Sequence, residues 1–386
     1  MSNRIHGRVP EPIHIVGAGP AGLAAALTIA AAGGRAVVHE QRADVGSRFH
    51  GDLQGIENWT TPGDALEELE SVTGTALQGR AHPVREGVFF DPEGRQYLYR
   101  SPDPLFYLVR RGPEAGTLDD ALKSEALAAG VEIRFREPWT RLSAGGIVAG
   151  GPRAADAIAV GYVFETDQAD GVYGVLSDQL APKGYAYLLI CAGRGTVATC
   201  LFGDFAREAE YLDRTVAFFR DRAGLQMRRA VRFGGAGNIL LPRTARQGRI
   251  LFAGEAAGFQ DALWGFGIRI GMISGHLAAR ALLDCVPERY DHAWRRRLGG
   301  HLRASLVNRY AFSRMGDAGY GRLMRSIAAM ADARQWLRRH YSPTLCKRFA
   351  FPLIRWLVLS RREPPACAWP ACDRIWCRTP HAGAEV

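Results

Sequence analysis

Three glycines, Gly17, Gly19 and Gly22, stand in G-x-G-x-x-G spacing within "HIVGAGPAGLAAALTIAAAGGRAVVHEQ", and Glu40 follows eighteen residues after the last of them. This spacing suits a pyrophosphate: the first glycine allows a tight turn, the second lets backbone approach phosphate, and the third permits close helix–strand packing. The elements that must carry it are a short buried strand at Ile13 to Val16 and a helix from Pro20, with Ala21 in its first turn and its free amides aimed at the phosphates. Gly33 and Gly34 end that helix, Ala36 to His39 forms a second strand, and Glu40, with Gln41 beside it, is placed to accept a hydrogen bond from a ribose hydroxyl. An acid there disfavours a 2′-phosphate. FAD and NAD both remain open at this point.

A second stretch, "GRILFAGEAAGFQDALWGFGIRIGMISGHLAARALL", separates the two. Another short strand leads to Gly254, Glu255 and Gly258, and then to a glycine-spaced helix, so the chain returns to the first nucleotide fold. An NAD site needs no such return. An FAD cradle does: an acid at the end of a late strand meets the ribityl chain, and the next helix points its positive end at the isoalloxazine. Trp264, Gly265, Gly267 and Ile268 then lie where this loop meets the flavin ring, with Trp264 as a floor for a substrate slot. The competing reading is close packing alone, through glycines 267, 271 and 275.

With 386 residues, 47% of them hydrophobic, the chain can bury a large core. The expected class is α/β: an FAD-binding Rossmann-like domain (10–84, 106–156 and 242–285) interleaved with a largely antiparallel β-sheet substrate domain (85–105 and 157–241), and a helical C-terminal region at 286–386. The β-rich runs "VFFDPEGRQYLYR", "AIAVGYVFET", "GYAYLLICAG" and "TVATCLFGD" supply the antiparallel sheet. The first residues lack an apolar signal core, and no stretch reaches about eighteen uninterrupted apolar residues, so a cytoplasmic location is expected. Much of the net charge of +10 lies after Trp294. No nucleic-acid module accompanies it, so no nucleic-acid partner is expected.

The two motifs, with "YLVRRGPEAGTLDDALKSEALAAGVEIRF" between them, resemble flavoproteins of the p-hydroxybenzoate hydroxylase superfamily, and most closely its geranylgeranyl reductase branch, over about Ile13 to Leu283. The resemblance implies that Arg110 or Arg111 contacts FAD, and Leu118-Asp119 stands where that superfamily has Phe-Asp. Its late Gly-Asp is Gly254-Glu255 here, one methylene longer. Two absences bear on the reaction: no Asp-Gly of the aromatic hydroxylases occurs in "IVAGGPRAADAIAVGY", and the halogenases' Trp-x-Trp-x-Ile-Pro is missing. Within "PKGYAYLLICAGRG", Tyr185 and Tyr187 fit the reductases' two aromatic places, while Leu189 and Ile190 replace the following Phe-Pro. Strand alternation puts both tyrosines on one face, where they line an apolar slot or simply face the core.

The segment "SRFHGDLQGIENWTT" is expected to be a loop covering the cofactor, with Arg48 among the cofactor-binding residues and His50, Asp52 and Glu57 as candidate proton donors. It lacks the cysteine that several reductases carry there. The resemblance implies hydride transfer from reduced FAD to a carbon–carbon double bond of an isoprenoid or other apolar lipid substrate, with NAD(P)H or another external reductant as donor. An oxygen-using monooxygenase or epoxidase is the alternative, and a non-catalytic flavin-containing binding protein is the alternative of another class.

The tail carries Cys367, Cys372 and Cys377, spaced C-x4-C-x4-C. A zinc or iron–sulfur site would need a fourth ligand and a tighter spacing, so no metal is expected. Before them, Phe349, Phe351, Trp356 and Leu359 alternate with Arg348, Arg355, Arg361 and Arg362, a pattern that fits a peripheral contact at the inner face of a membrane.

Overall fold

The computed structural model describes residues 11–360 except 139–141, 143–144, 153–154 and 240, and omits the side chains of 359 and 360. The cysteine cluster, Arg361 and Arg362 lie outside the described residues. The α/β class expected from the sequence is the one found.

The first motif builds the centre of a six-stranded sheet. Ile13–Val16 lies between Ala36–Glu40 and Gly146–Val148, all parallel, with Glu132–Phe135 beyond the former and Ile250–Phe252 beyond the latter. A short Arg246–Gln247 strand closes that edge antiparallel. Strands buried on both faces read as apolar runs, and Ile15, Val38, Ile147 and Leu251 meet in one core. The helix Pro20–Ala31 and the late helix Ile268–Leu283 cover this sheet, and the small buried side chains of Ala24, Ala25 and Ala26 let them come close.

The chain leaves this sheet twice. The first excursion forms a three-stranded antiparallel sheet from Leu53–Glu57, Phe106–Arg110 and Ala81–Val84. The stretch expected as a covering loop therefore contains a strand: five residues from Leu53 pair with the edge of Phe106–Arg110 and bury Leu53 and Ile56. The second joins two hairpin strands of the first excursion to build a seven-stranded sheet, in the order Arg228–Gly237, Ala157–Glu165, Arg194–Leu201, Tyr185–Cys191, Gly171–Val175, Glu86–Phe90 and Gln96–Arg100, the last two coming from the first excursion. It is antiparallel except where Gly171–Val175 runs beside Glu86–Phe90. The helix Glu208–Ala223 buries Leu212, Val216 and Phe219 against Phe164, Leu188 and Val197 on one face of this sheet.

Five helices follow: Arg289–Arg297, Gly299–Phe312, Gly316–Ala328, Ala333–Tyr341 and Leu345–Ser360. They do not form a separate tail. Phe312, Tyr320, Met324, Ile327 and Tyr341 share a core with Trp59, Tyr99 and Leu263, so the C-terminal helices wall off one side of the space between the sheets. Among the described residues, no helix is long and apolar enough to cross a membrane.

Candidate functional site

The glycine loop has the shape its spacing demands. Gly17 has φ +99° and its N–H donates to the His39 carbonyl at 2.8 Å. A Cβ on Gly22 would stand 1.9 Å from the Gly17 carbonyl oxygen, whereas a Cβ on Gly19 would meet nothing within 4 Å. Gly22 is thus a packing glycine, and Gly19 faces open space that a ligand can approach. The helix from Pro20 has no side-chain cap and no acid in its first turn, which leaves its amides free for an anion.

Glu40 sits at the end of its strand with Oε2 accepting from the Ala18 N–H and Oε1 from the Arg42 N–H, both at 2.9 Å. The carboxylate therefore ties the glycine loop to the next turn, and each oxygen keeps further acceptor capacity for a hydroxyl. Gln41 is exposed, and Arg42 is the neighbour that turns toward the cavity described below.

Arg110 and Arg111 part company. Arg111 is buried, with Nε and Nη2 on Asp119 at 2.8 and 2.9 Å, and Asp119 also accepts from the Gly112 N–H at 3.0 Å. Asp119 thus locks Arg111 as scaffold. The Arg110 Nε is buried without a hydrogen-bond partner, and its guanidinium and that of Arg194 both lie beside Gly51. Of the two, Arg110 is the one with no carboxylate partner among the described residues.

The late motif closes the cradle from the other side. Gly254 has φ +58° and its N–H donates to Ser274 Oγ at 2.9 Å. Glu255 forms an ion pair with Arg48 at 3.2 Å, which bridges the segment after the second strand to the late turn. Gly265, Gly267 and Ile268 bring the uncapped start of the late helix to the wall of a cavity of about 670 Å³.

That cavity has two ends. Arg42, Ser47, Arg48, Asp52, Gln54 and Glu255 line the polar one; Phe89, Leu176, Leu323, Met324, Ile327 and Leu337 line the apolar one. Tyr185, Tyr187 and Trp264 stand on its wall together. The tyrosine rings stack at 6.2 Å, Trp264 meets Tyr185 edge-on at 5.3 Å, and the Tyr185 hydroxyl donates to the Trp264 carbonyl. Burial pushes both phenols well above the ordinary tyrosine value, so both stay neutral. Cys200, opposite Tyr185 on the next strand, lines the same wall, and burial pushes its thiol up to about 12.

The three candidate proton donors separate as well. His50 is exposed and also lines the cavity. Glu57 is committed to a buried ion pair with Arg269 at 2.7 Å and to the Thr60 hydroxyl. Asp52 is buried, lines the cavity and accepts from the His50 N–H and from Gln54 Nε2; burial raises its pKa against those bonds.

Asp261 and Arg309 belong to the site's support and are not apparent from motif spacing. Asp261 accepts from the Trp264 N–H at 2.7 Å and from the Tyr341 hydroxyl at 3.1 Å, and burial raises its carboxyl from 3.8 to about 6. Arg309 is buried across the rings of Phe202 and Phe312 and donates to the Leu263 and Lys183 carbonyls, with burial pushing it down to about 10. Both hold the turn that carries Trp264. Tyr341 is remote from Asp261 in sequence, as Leu263 and Lys183 are from Arg309, so no local signal announces either role.

No family model matches the chain, and no curated protein matches it in sequence. Solved structures do match. A geranylgeranyl bacteriochlorophyll reductase-like protein from Thermoplasma acidophilum is similar with a TM-score of 0.69 at 16% identity, over 90% of this chain and 98% of that one. A flavin-dependent brominase matches with a TM-score of 0.60 at 16% identity, over 90% and 97%. A p-nitrophenol 4-monooxygenase from Pseudomonas putida matches with a TM-score of 0.52 at 16% identity, over 92% and 99%. The chain has the fold that these proteins share.

Proposed function

We propose that the protein is an FAD-dependent oxidoreductase that reduces carbon–carbon double bonds of an isoprenoid or other long apolar substrate, drawing electrons from NAD(P)H or another external reductant. The observation that carries this reading is the continuous cavity that joins the Arg48–Glu255 bridge and the late helix start to a wall of aliphatic and aromatic side chains. The residues fit FAD. Gly19 leaves open backbone for a pyrophosphate, Glu40 keeps acceptor capacity for a ribose hydroxyl, Arg110 has an unpartnered buried Nε, and Glu255 reaches the cavity where a ribityl chain would pass.

FAD, when bound, supplies hydride for the reduction. The chain's own residues do the rest. Tyr185, Tyr187 and Trp264 hold an apolar chain in the slot and restrict its orientation, and the aliphatic end excludes water. Asp52 faces the cavity, and burial shifts its carboxyl toward the neutral form, which makes it the group placed to pass a proton to the second alkene carbon.

The test is anaerobic. Protein reduced with dithionite is mixed with a polyprenyl alkene, and the visible absorbance of oxidised flavin should return while the product gains a pair of hydrogens per double bond. Turnover only after oxygen is admitted, with a product that gains an oxygen atom, would replace this reading with the monooxygenase one. Absence of any stimulated flavin reduction or reoxidation across donors and alkenes would favour a non-catalytic binding protein.

A further inference from the structure

The helix Leu345–Ser360 has two unlike faces. Phe351 and Ile354 pack inward, Phe351 against the core of the first sheet. Leu345, Phe349, Leu353 and Trp356, spaced four, four and three residues apart, point out with 69%, 79%, 61% and 63% of their surface exposed. These steps put all four on one stripe of the helix. The expected anchor thus shifts by a face: Phe349 and Trp356 are in it, Phe351 is not, and Leu345 and Leu353 join it. Solvent-facing side chains of this size in a row mark an interaction surface.

The rim of this stripe is cationic. No Asp or Glu occurs between Ala333 and Ser360. Arg348 and Arg355 come from the helix itself and Arg303 from Gly299–Phe312, against which it packs. Burial, then the charges of Arg348 and Arg295, pull the Arg303 guanidinium below its ordinary value, and burial, then Arg243, do the same to Arg355. None of Arg303, Arg348 and Arg355 has a carboxylate partner among the described residues. The patch is therefore apolar at its centre and uncompensated positive at its edge.

We propose that this face docks the protein on an anionic phospholipid surface, with Leu345, Phe349, Leu353 and Trp356 entering the interface and Arg303, Arg348 and Arg355 meeting headgroup phosphates. A bilayer of that composition offers both chemistries at once. A second copy of the chain would bring the same cations against each other across a two-fold contact, which is unfavourable. The docking goes beyond the oxidoreductase reading and stands or falls independently of it.

The experiment is co-sedimentation of the full chain with vesicles of phosphatidylcholine alone and of phosphatidylcholine with phosphatidylglycerol. The protein should partition onto the anionic vesicles and be released by salt. Phe349→Ser with Trp356→Ser should lower the partition coefficient by about tenfold or more, and Arg303→Gln, Arg348→Gln and Arg355→Gln together should flatten its salt dependence. Circular dichroism melting establishes that each variant is folded, and Trp356→Ser alone serves as the milder change. Failure of the wild type to bind anionic vesicles at low salt would overturn the proposal, as would undiminished binding by the folded apolar variants. Two other results would also overturn it: binding that appears only after deletion of 361–386, and self-association that Phe349→Ser abolishes, which assign the face to the chain's own end and to a second copy.

Discussion

A Cβ placed on Gly275 would stand 2.0 Å from the Ala21 carbonyl oxygen, so the late helix and the first helix touch through backbone at this point. Gly271 lies beside Ala21 and Gly254 in the same contact. This contact fixes the separation of the two helix starts that face the proposed dinucleotide site. Gly275→Ala should force the helices apart and destabilise the fold by about 1–3 kcal/mol or more. Gly19→Ala, whose new methyl meets nothing within 4 Å, should leave stability within about 0.5 kcal/mol and yet lower FAD retention. Denaturant melts and flavin extraction on the two variants separate packing from binding; equal loss of stability in both would refute the distinction.

Glu40 supports the loop, and in the proposed FAD site it would also meet the ribose. Glu40→Ala removes two acceptors of backbone N–H groups at 2.9 Å and should cost stability and FAD affinity together, on the order of 1–3 kcal/mol for each function. Fluorescence titration of apoprotein with FAD checks the second part. Unchanged affinity would mean that the carboxylate serves only the loop.

Asp261 makes stability depend on pH in a definite direction. Its folded-state pKa is raised from 3.8 to about 6, so the folded protein binds this proton more tightly than the unfolded chain. The contribution is full below the unfolded value and is lost as pH rises to about 6, a change of roughly 3 kcal/mol. Asp261→Asn should remove it, so the wild-type-minus-variant difference in unfolding free energy should fall between about pH 4 and 6, approximately the span of the two values. Urea melts across that range measure the difference, and a flat line would assign Asp261 an ordinary pKa.

Tyr185 and Tyr187 share a wall but not a workload. Tyr185 binds the Trp264 carbonyl and packs on its ring, whereas Tyr187 stacks on Tyr185 and packs against the cluster of Leu53, Leu108 and Leu189. Tyr187→Ala should slow alkene-dependent reoxidation while leaving FAD content nearly unchanged, at a cost in stability from the packing it loses against Leu53, Leu108 and Leu189. Tyr185→Ala should lower both rate and stability, by about 1–3 kcal/mol for the latter. A Tyr187→Ala protein with wild-type turnover would remove that ring from the slot.

The local physics of the sequence alone determined the parallel core of this protein. Glycine spacing, the alanine-rich helix and the acid at a strand end each act over a few residues, so strand, turn and helix at Ile13 to Glu40 and again at Ile250 to Leu283 were legible from residue type. Strand alternation likewise put Tyr185 and Tyr187 on one face. Tertiary structure decided which arginine is free, because Asp119 reaches Arg111 through helix–strand packing that no spacing encodes. It decided which acid faces the cavity, since Glu57 and Asp52 differ only in what packs against them: Arg269 for one, and the cavity wall for the other. It also made the C-terminal helices a wall of the site. Their basic, amphipathic sequences are compatible with solvent on one side, and only the space left between the three-stranded and seven-stranded sheets draws Met324, Ile327 and Leu337 inward to bury apolar surface there.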